Sequence, residues 1–113
     1  MLPSRNRLKR NKDFEKVFEK GKGYKQDFLY LKFIDNSFNF TRFGFIISKK
    51  ACKKAVERNK IKRQLREIVR KKLGNIKKGK DVVIVVLQKT ENINFQKIKD
   101  VIDNIFIKAR IID

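Results

Sequence analysis

Arg58, Asn59, Lys60, Lys62, Arg63, Arg66 and Arg70 crowd into one short stretch of a chain that holds 22 Lys but only nine Arg. Four of the nine guanidinium groups therefore share one segment, a concentration that a Lys-rich composition does not produce by itself. A guanidinium presents a planar fork of donors that matches two phosphate oxygens, and it is less strongly hydrated than an ammonium. The chemistry this suits is the binding of a phosphate backbone, with Asn59 adding an amide for a phosphate, a sugar or a base edge. Projected at about 100° per residue, Ile61, Leu65, Ile68 and Val69 gather on one side of a helix. Asn59, Lys62, Arg63, Arg66 and Arg70 form a separate stripe, and Glu67 lies away from its middle. The plain alternative is a solvated face. Mixed signs suffice for solubility, however, whereas a one-signed stripe repels itself through like charges at i,i+4.

The whole chain shares this bias. Its 31 Lys and Arg against 12 Asp and Glu give a formal charge of +19, an excess that works against the compact state unless a polyanion neutralises it. Nucleic acid is the first partner implied, because cations that neutralise phosphates release condensed counterions. An anionic membrane surface is the second, but no apolar run approaches the roughly 18 residues of a spanning segment. Residues 1–12 are basic and polar, with no apolar stretch behind them of the kind a secretory signal needs. The expectation is a cytoplasmic protein without a membrane or DNA partner.

Several chemistries are excluded. The chain has no His and a single Cys, Cys52, so it forms no internal disulfide and offers no thiolate or imidazole cluster for zinc. Without His there is no imidazole for general acid–base cleavage of a phosphodiester. The 12 carboxylates are scattered from Asp13 to Asp113, which leaves a protein-only nuclease without the gathered ligands its metal would require.

These residues need elements to position them. A basic leader with Arg5, Arg7, Lys9, Arg10 and Lys12 precedes a short helix that Asn11 can cap, with Phe14, Val17 and Phe18 on one face and Gly21 and Gly23 at its end. Phe28 to Ile34, a turn at Asp35, Asn36 and Ser37, and Phe40 to Ser48 read as an antiparallel hairpin, with room for a short strand near Tyr24. From about Lys50 the period becomes helical, with Ala51, Ala55, Ile61, Leu65, Ile68, Val69 and Leu73 on a buried stripe that ends near Gly74 and Asn75. Val82 to Leu87 is an almost unbroken apolar run of strand length, as expected of a central strand buried on both faces. A last helix with Phe95, Ile98, Val101, Ile102, Ile105 and Phe106 starts just after Asn92 and Asn94. The order predicts a single α+β domain over residues 1–113, a two-layer sandwich of helices on a four-stranded mixed sheet.

A second constellation is aromatic: Phe14 and Phe18 on the first helix, and Phe28, Tyr30 and Phe33 on the strand that follows. Exposed rings beside cations stack unpaired bases. Tyr30 and Phe33 point to opposite sides of a strand, so part of the set is core.

The run Arg58-Asn59-Lys60-Ile61-Lys62-Arg63-Gln64-Leu65-Arg66 resembles the RNR signature helix of the bacterial ribonuclease P protein family. The leader Arg5-Asn6-Arg7-Leu8, the pairs Asp13-Phe14 and Val17-Phe18, Arg42-Phe43-Gly44-Phe45 before Ser48-Lys49-Lys50, and Lys54-Ala55-Val56 match that family in order and spacing. Two positions depart: Lys60 stands where Arg is usual, and Cys52 where Gly is common. The resemblance implies an αβββαβα fold with a left-handed βαβ crossover. It further implies that the signature helix binds the catalytic ribonuclease P RNA, while a cleft between the first helix and the sheet holds the single-stranded 5′ leader of precursor tRNA. The RNA subunit, with Mg2+, would make the cut, so the protein is an accessory subunit, expected to be inactive alone and without a metal site, one copy per RNA.

Carried over by position, Arg58, Asn59, Lys60, Lys62, Arg63, Arg66 and Arg70 would contact RNA, bordered by Ser48, Lys49 and Lys50. Phe14 and Phe18 would line the leader cleft, completed by the strand face bearing Leu29, Leu31 and Phe33. A ribosomal or ribosome-assembly RNA-binding protein is the alternative, since charge and size would be the same. Replacing Arg63 or Arg66 with Ala is expected to weaken RNA binding and flatten its salt dependence, by about 0.7–0.9 in log–log slope for each phosphate no longer neutralised. Affinity titrations over a salt series check this, and an unchanged slope would mean a merely solvated stripe.

Overall fold

The computed structural model describes residues 2–87 and 94–112. Its elements run α1 (Asn11–Lys20), β1 (Lys22–Gln26), β2 (Leu29–Asp35), β3 (Arg42–Ile47), α2 (Ala55–Lys72), β4 (Lys80–Val86) and α3 (Phe95–Lys108). The four strands form one mixed sheet in the order β1-β2-β4-β3, which is the expected α+β architecture.

β4 decides this order. Val82 to Val86 are all buried, so neither face of the strand tolerates water and neither edge is left open. β2 pairs with it antiparallel, Leu31 opposite Ile84, and β3 pairs with it parallel, Phe45 opposite Ile84. The predicted hairpin between the segments that become β2 and β3 is thereby corrected: β4 lies between them, and β2 makes its hairpin with β1 instead. Local turn signals at residues 35–37 could not register a strand arriving from more than forty residues downstream. The β3–α2–β4 segment is the βαβ crossover that joins the parallel pair.

Strand alternation splits the interior in two. Leu29, Leu31, Phe43, Phe45, Ile47, Val82, Ile84 and Val86 face α2 and α3, meeting Leu65, Ile68, Ile102 and Phe106 in the larger core. Val83 and Val85 face the other way, against Leu8 and Val17, with half-buried Phe14, Tyr30, Ile34 and Ile46 around them. This second face is covered only by α1 and the leader. The leader is held there because Leu8 N donates to Phe43 O at 2.8 Å, along the free edge of β3.

Helix boundaries depart from the periodic reading at two places, the start of α2 and the start of α1, where Asn11 is the first helical residue and not the cap. α2 starts at Ala55, and residues 48–52 instead form a turn in which the amides of Ala51 and Cys52 donate to Ser48 O at 3.0 and 3.1 Å. Ala51 is buried in that turn and Ala55 is exposed, so neither belongs to the helical stripe. Cys52 needs no left-handed backbone, as only Asp27 and Arg110 have positive φ among described non-glycine residues. α1 begins at Asn11 with Arg10 at its cap. Asn94 caps α3 as expected, accepting from Lys97 N at 2.9 Å, while Asn92 lies outside the described residues.

A charged knot ties the start of the sheet to α1. Arg42 grips Asp81 with two hydrogen bonds of 2.8 and 2.6 Å and reaches Asp13 at 3.4 Å, and Asn36 donates to Asp81 at 2.8 Å. The hydrogen bond to Asp81 holds the guanidinium more firmly protonated than usual. Asp81→Ala would leave the largely buried Arg42 guanidinium with only its longer contact to Asp13, for an expected loss of about 3 kcal/mol. Urea denaturation measures this, and a loss below about 1 kcal/mol would mark Arg42 as solvated.

Candidate nucleic-acid interface

α2 presents its cations because its other side is spent: Ile61, Leu65, Ile68 and Val69 are buried against the sheet and α3. Asn59, Lys60 and Arg63 are exposed, and Lys62 and Arg66 are half-buried. None of these five meets a hydrogen-bonding or ionic partner among the described residues. Lys49 and Lys50 are exposed in the turn before the helix, beside half-buried Ser48, whose hydroxyl accepts from Ala51 N at 3.1 Å.

The two ends of the stripe differ from its middle. Arg58 donates to the carbonyls of Cys52 and Lys53 at 3.0 and 2.6 Å, so one arm of its fork fastens the turn to the helix. Arg70 grips Glu67 through bonds of 3.1 and 2.5 Å, and that guanidinium holds the Glu67 carboxyl below its ordinary range. The run of cations open to a phosphate is therefore Lys60, Lys62, Arg63 and Arg66. The Cys52 thiol is pushed up by burial and by its hydrogen bond to Glu57, which keeps it protonated and unreactive.

The aromatic groove lies on the α1 face of the sheet. Phe14 rests on Gly44, where a Cβ would collide with the ring, and Tyr30 lies over Gly23 in the same way. Phe18 is 38% exposed on α1, and Lys32 donates to its carbonyl, clipping the end of the helix to β2. The strand face assigned to this groove from sequence is corrected here. Leu29 and Leu31 are fully buried in the larger core, and Phe33 packs beside them, stacked on Tyr24 at 6.1 Å. Alternation puts Tyr30, Lys32 and Ile34 on the α1 side instead. Tyr30 belongs to the aromatic set, and the parity it shares with Val83 and Val85 against Val17 is the signal that identifies its face.

The stripe and the groove meet. A hollow of about 230 Å³ at the β3 edge is lined by Arg7, Lys9, Phe14, Gly44, Lys62 and Arg66, among others. The leader thus supplies two cations and α2 two more to the hollow that Phe14 also lines. In the sequence Arg7 and Lys9 are legible only as general basicity, because their place depends on the leader bridging to Phe43. Glu67→Gln would free Arg70 and is expected to steepen the salt dependence of RNA binding by about 0.7–0.9 in slope. An unchanged slope in the same titration would mean that Arg70 faces away from RNA.

Comparison with known proteins agrees with the fold. A family model described as Ribonuclease P matches residues 2–110. A ribonuclease P protein component from Pseudanabaena sp. (strain PCC 6903) is 42% identical, the alignment covering 99% of this chain and 97% of the relative. Its counterpart from Synechocystis is 36% identical, over 99% of this chain and 91% of the relative. Among solved structures, the Staphylococcus aureus RNase P protein superposes with a TM-score of 0.88 at 27% identity, covering 96% of this chain and 98% of that one. The Thermotoga maritima RNase P protein gives 0.81 at 32% identity, covering 87% and 94%. With nearly its whole length matched in sequence and fold, and with the signature helix carrying an open run of cations, the chain belongs to the bacterial ribonuclease P protein family.

Proposed function

We propose that this chain, a protein subunit of the endoribonuclease ribonuclease P, binds the catalytic RNA through α2 and the 5′ leader of precursor tRNA through the α1 groove. The observation that carries this reading is the hollow in which Arg7, Lys9, Lys62 and Arg66 surround Phe14. Cations there hold backbone phosphates, while the half-buried Phe14 ring in the lining offers a surface for an unpaired base, which suits a single strand entering beside a folded RNA. Phe18 and Tyr30 extend the ring-bearing surface along α1 and β2, and Lys49, Lys50, Lys60 and Arg63 extend the phosphate-binding one.

Cleavage in this reading belongs to the RNA subunit and its Mg2+ ions. Among the described residues no group of three or more Cys, Asp or Glu side chains is arranged to hold a cation, so no step is assigned to a metal on the protein. The chain's part is to neutralise phosphates where two RNAs approach each other, which lowers the ionic strength and Mg2+ needed for their association. One protein per RNA, acting in the cytoplasm, completes the proposal. No described helix is long and apolar enough to cross a membrane.

The holoenzyme reconstituted with ribonuclease P RNA is expected to bind precursor tRNA more tightly than mature tRNA. Phe14→Ala is expected to erase about 1–3 kcal/mol of that preference, the value of one stacked base, while leaving the salt slope unchanged. Fluorescence titration with both tRNAs checks this, with circular dichroism to confirm folding. Equal affinities of the unaltered protein for the two tRNAs would favour a ribosomal or assembly role instead.

A further inference from the structure

The opposite edge of the sheet carries a second concentration of cations. β1 is the edge strand farthest from β3. Where it meets the ends of β2 and α3, a groove of about 630 Å³ is lined by Lys20, Lys22, Lys77, Lys80, Lys108 and Arg110. Tyr24 and Phe33, stacked within 10° of parallel, form its apolar wall. Among the described residues Asp35 is the one carboxylate in the lining, and Lys80 neutralises it at 2.5 Å while lying 5.4 Å from the Phe33 ring centre. Lys108 donates to the carbonyl of Lys25 at 3.0 Å, on the strand beside it. The side chains of Lys20, Lys22 and Arg110 have no hydrogen-bonding or ionic partner among the described residues. A volume within the roughly 300–1,000 Å³ of ordinary ligand pockets, lined by six cations and one neutralised acid, is shaped for an anion.

Arg110 supplies an independent sign. α3 ends with Ile111 N donating to Phe106 O at 3.2 Å and with Arg110 at φ 59°. That left-handed position at a helix end is where glycine is usual, and a residue with a Cβ costs about 1 kcal/mol there. A guanidinium stands in the groove against the local backbone preference.

We propose that this groove is a second RNA-binding site, which takes consecutive phosphates of an RNA strand on Lys20, Lys22 and Arg110 beside the Tyr24 ring. It rests on the reading that the chain works bound to RNA, and it adds a binding surface at the β1 edge of the sheet, opposite the β3 edge where the first hollow lies. Three inter-strand steps, about 14 Å in all, separate the two edges. That exceeds the screening length of about 8 Å at physiological salt, so each site adds its own increment to the salt dependence.

Arg110→Gly and Lys22→Gln, in the full chain titrated with ribonuclease P RNA, test the site. Each is expected to flatten the log–log salt slope by about 0.7–0.9 and to lower affinity about fivefold to eightfold at 0.1 M salt, the effect of one phosphate over the decade of salt below 1 M. Arg110→Gly relieves the left-handed strain, so its melting temperature is expected to hold or rise, and weaker binding then reflects the missing guanidinium. Unchanged slope and affinity in both variants overturns the proposal. Arg66→Ala, run alongside, separates the two failures: an effect there with none at Arg110 and Lys22 removes this site alone, and no effect at any of the three also removes the role of α2.

Discussion

The structure depends on one strand that tolerates water on neither face. Residues Val82 to Val86 are buried throughout, so β4 must sit inside the sheet and be covered from both sides. α2 and α3 cover one side with a core that includes Leu65, Ile68, Ile102 and Phe106. α1 and the leader cover the other, where among the described residues the buried apolar cluster is no more than Leu8, Val17, Val83 and Val85. The thin layer leaves Phe14, Tyr30 and Ile46 half-buried at the rim of a groove. The same covering requirement that folds the chain therefore creates the surface on which a single strand of RNA can lie.

A charge of +19 has to be distributed without tearing so small a fold apart, and the carboxylates show how. Asp81 and Asp13 hold Arg42, Asp35 holds Lys80, Asp103 holds Lys72, Asp27 lies near Lys97 and Glu67 holds Arg70. These acids sit at the ends of strands, in the turn between β1 and β2, and on the helices. The middle of α2 receives none of them, so Lys60, Lys62, Arg63 and Arg66 keep their full field for a polyanion. Apart from the largely buried Arg42–Asp81 pair, surface ion pairs of this kind add little stability each. Their effect here is to confine the uncompensated charge to particular faces.

What is legible in the sequence follows the range of the interactions involved. Helical periods over Ile61 to Val69 and Ile98 to Phe106, and the unbroken apolar run of β4, are local patterns imposed by burial, and each forms the element it suggests. The start of α2 is not legible in the same way, because Ala51 is buried by a turn, which a period cannot distinguish from a helical face. The expected hairpin fails because pairing depends on which strand arrives as neighbour. The groove's strand face fails for a related reason. Leu29, Leu31 and Phe33 share one side in any register, but which side meets α1 depends on helices that come later in the chain.

The amino-acid order alone determined the chemistry: a polycation with arginines concentrated on one helix, no imidazole, no thiol pair, and an apolar strand that had to be central. These are properties of composition and of spacing within a few residues, which hold whatever the fold. Only the tertiary structure decided which cations remain open, because Arg58 and Arg70 are claimed by a carbonyl pair and by Glu67 while Arg63 and Arg66 are not. It also decided that the leader and α2 converge on Phe14, since that meeting rests on a backbone bridge between Arg7 and Phe43, 36 residues apart in the chain.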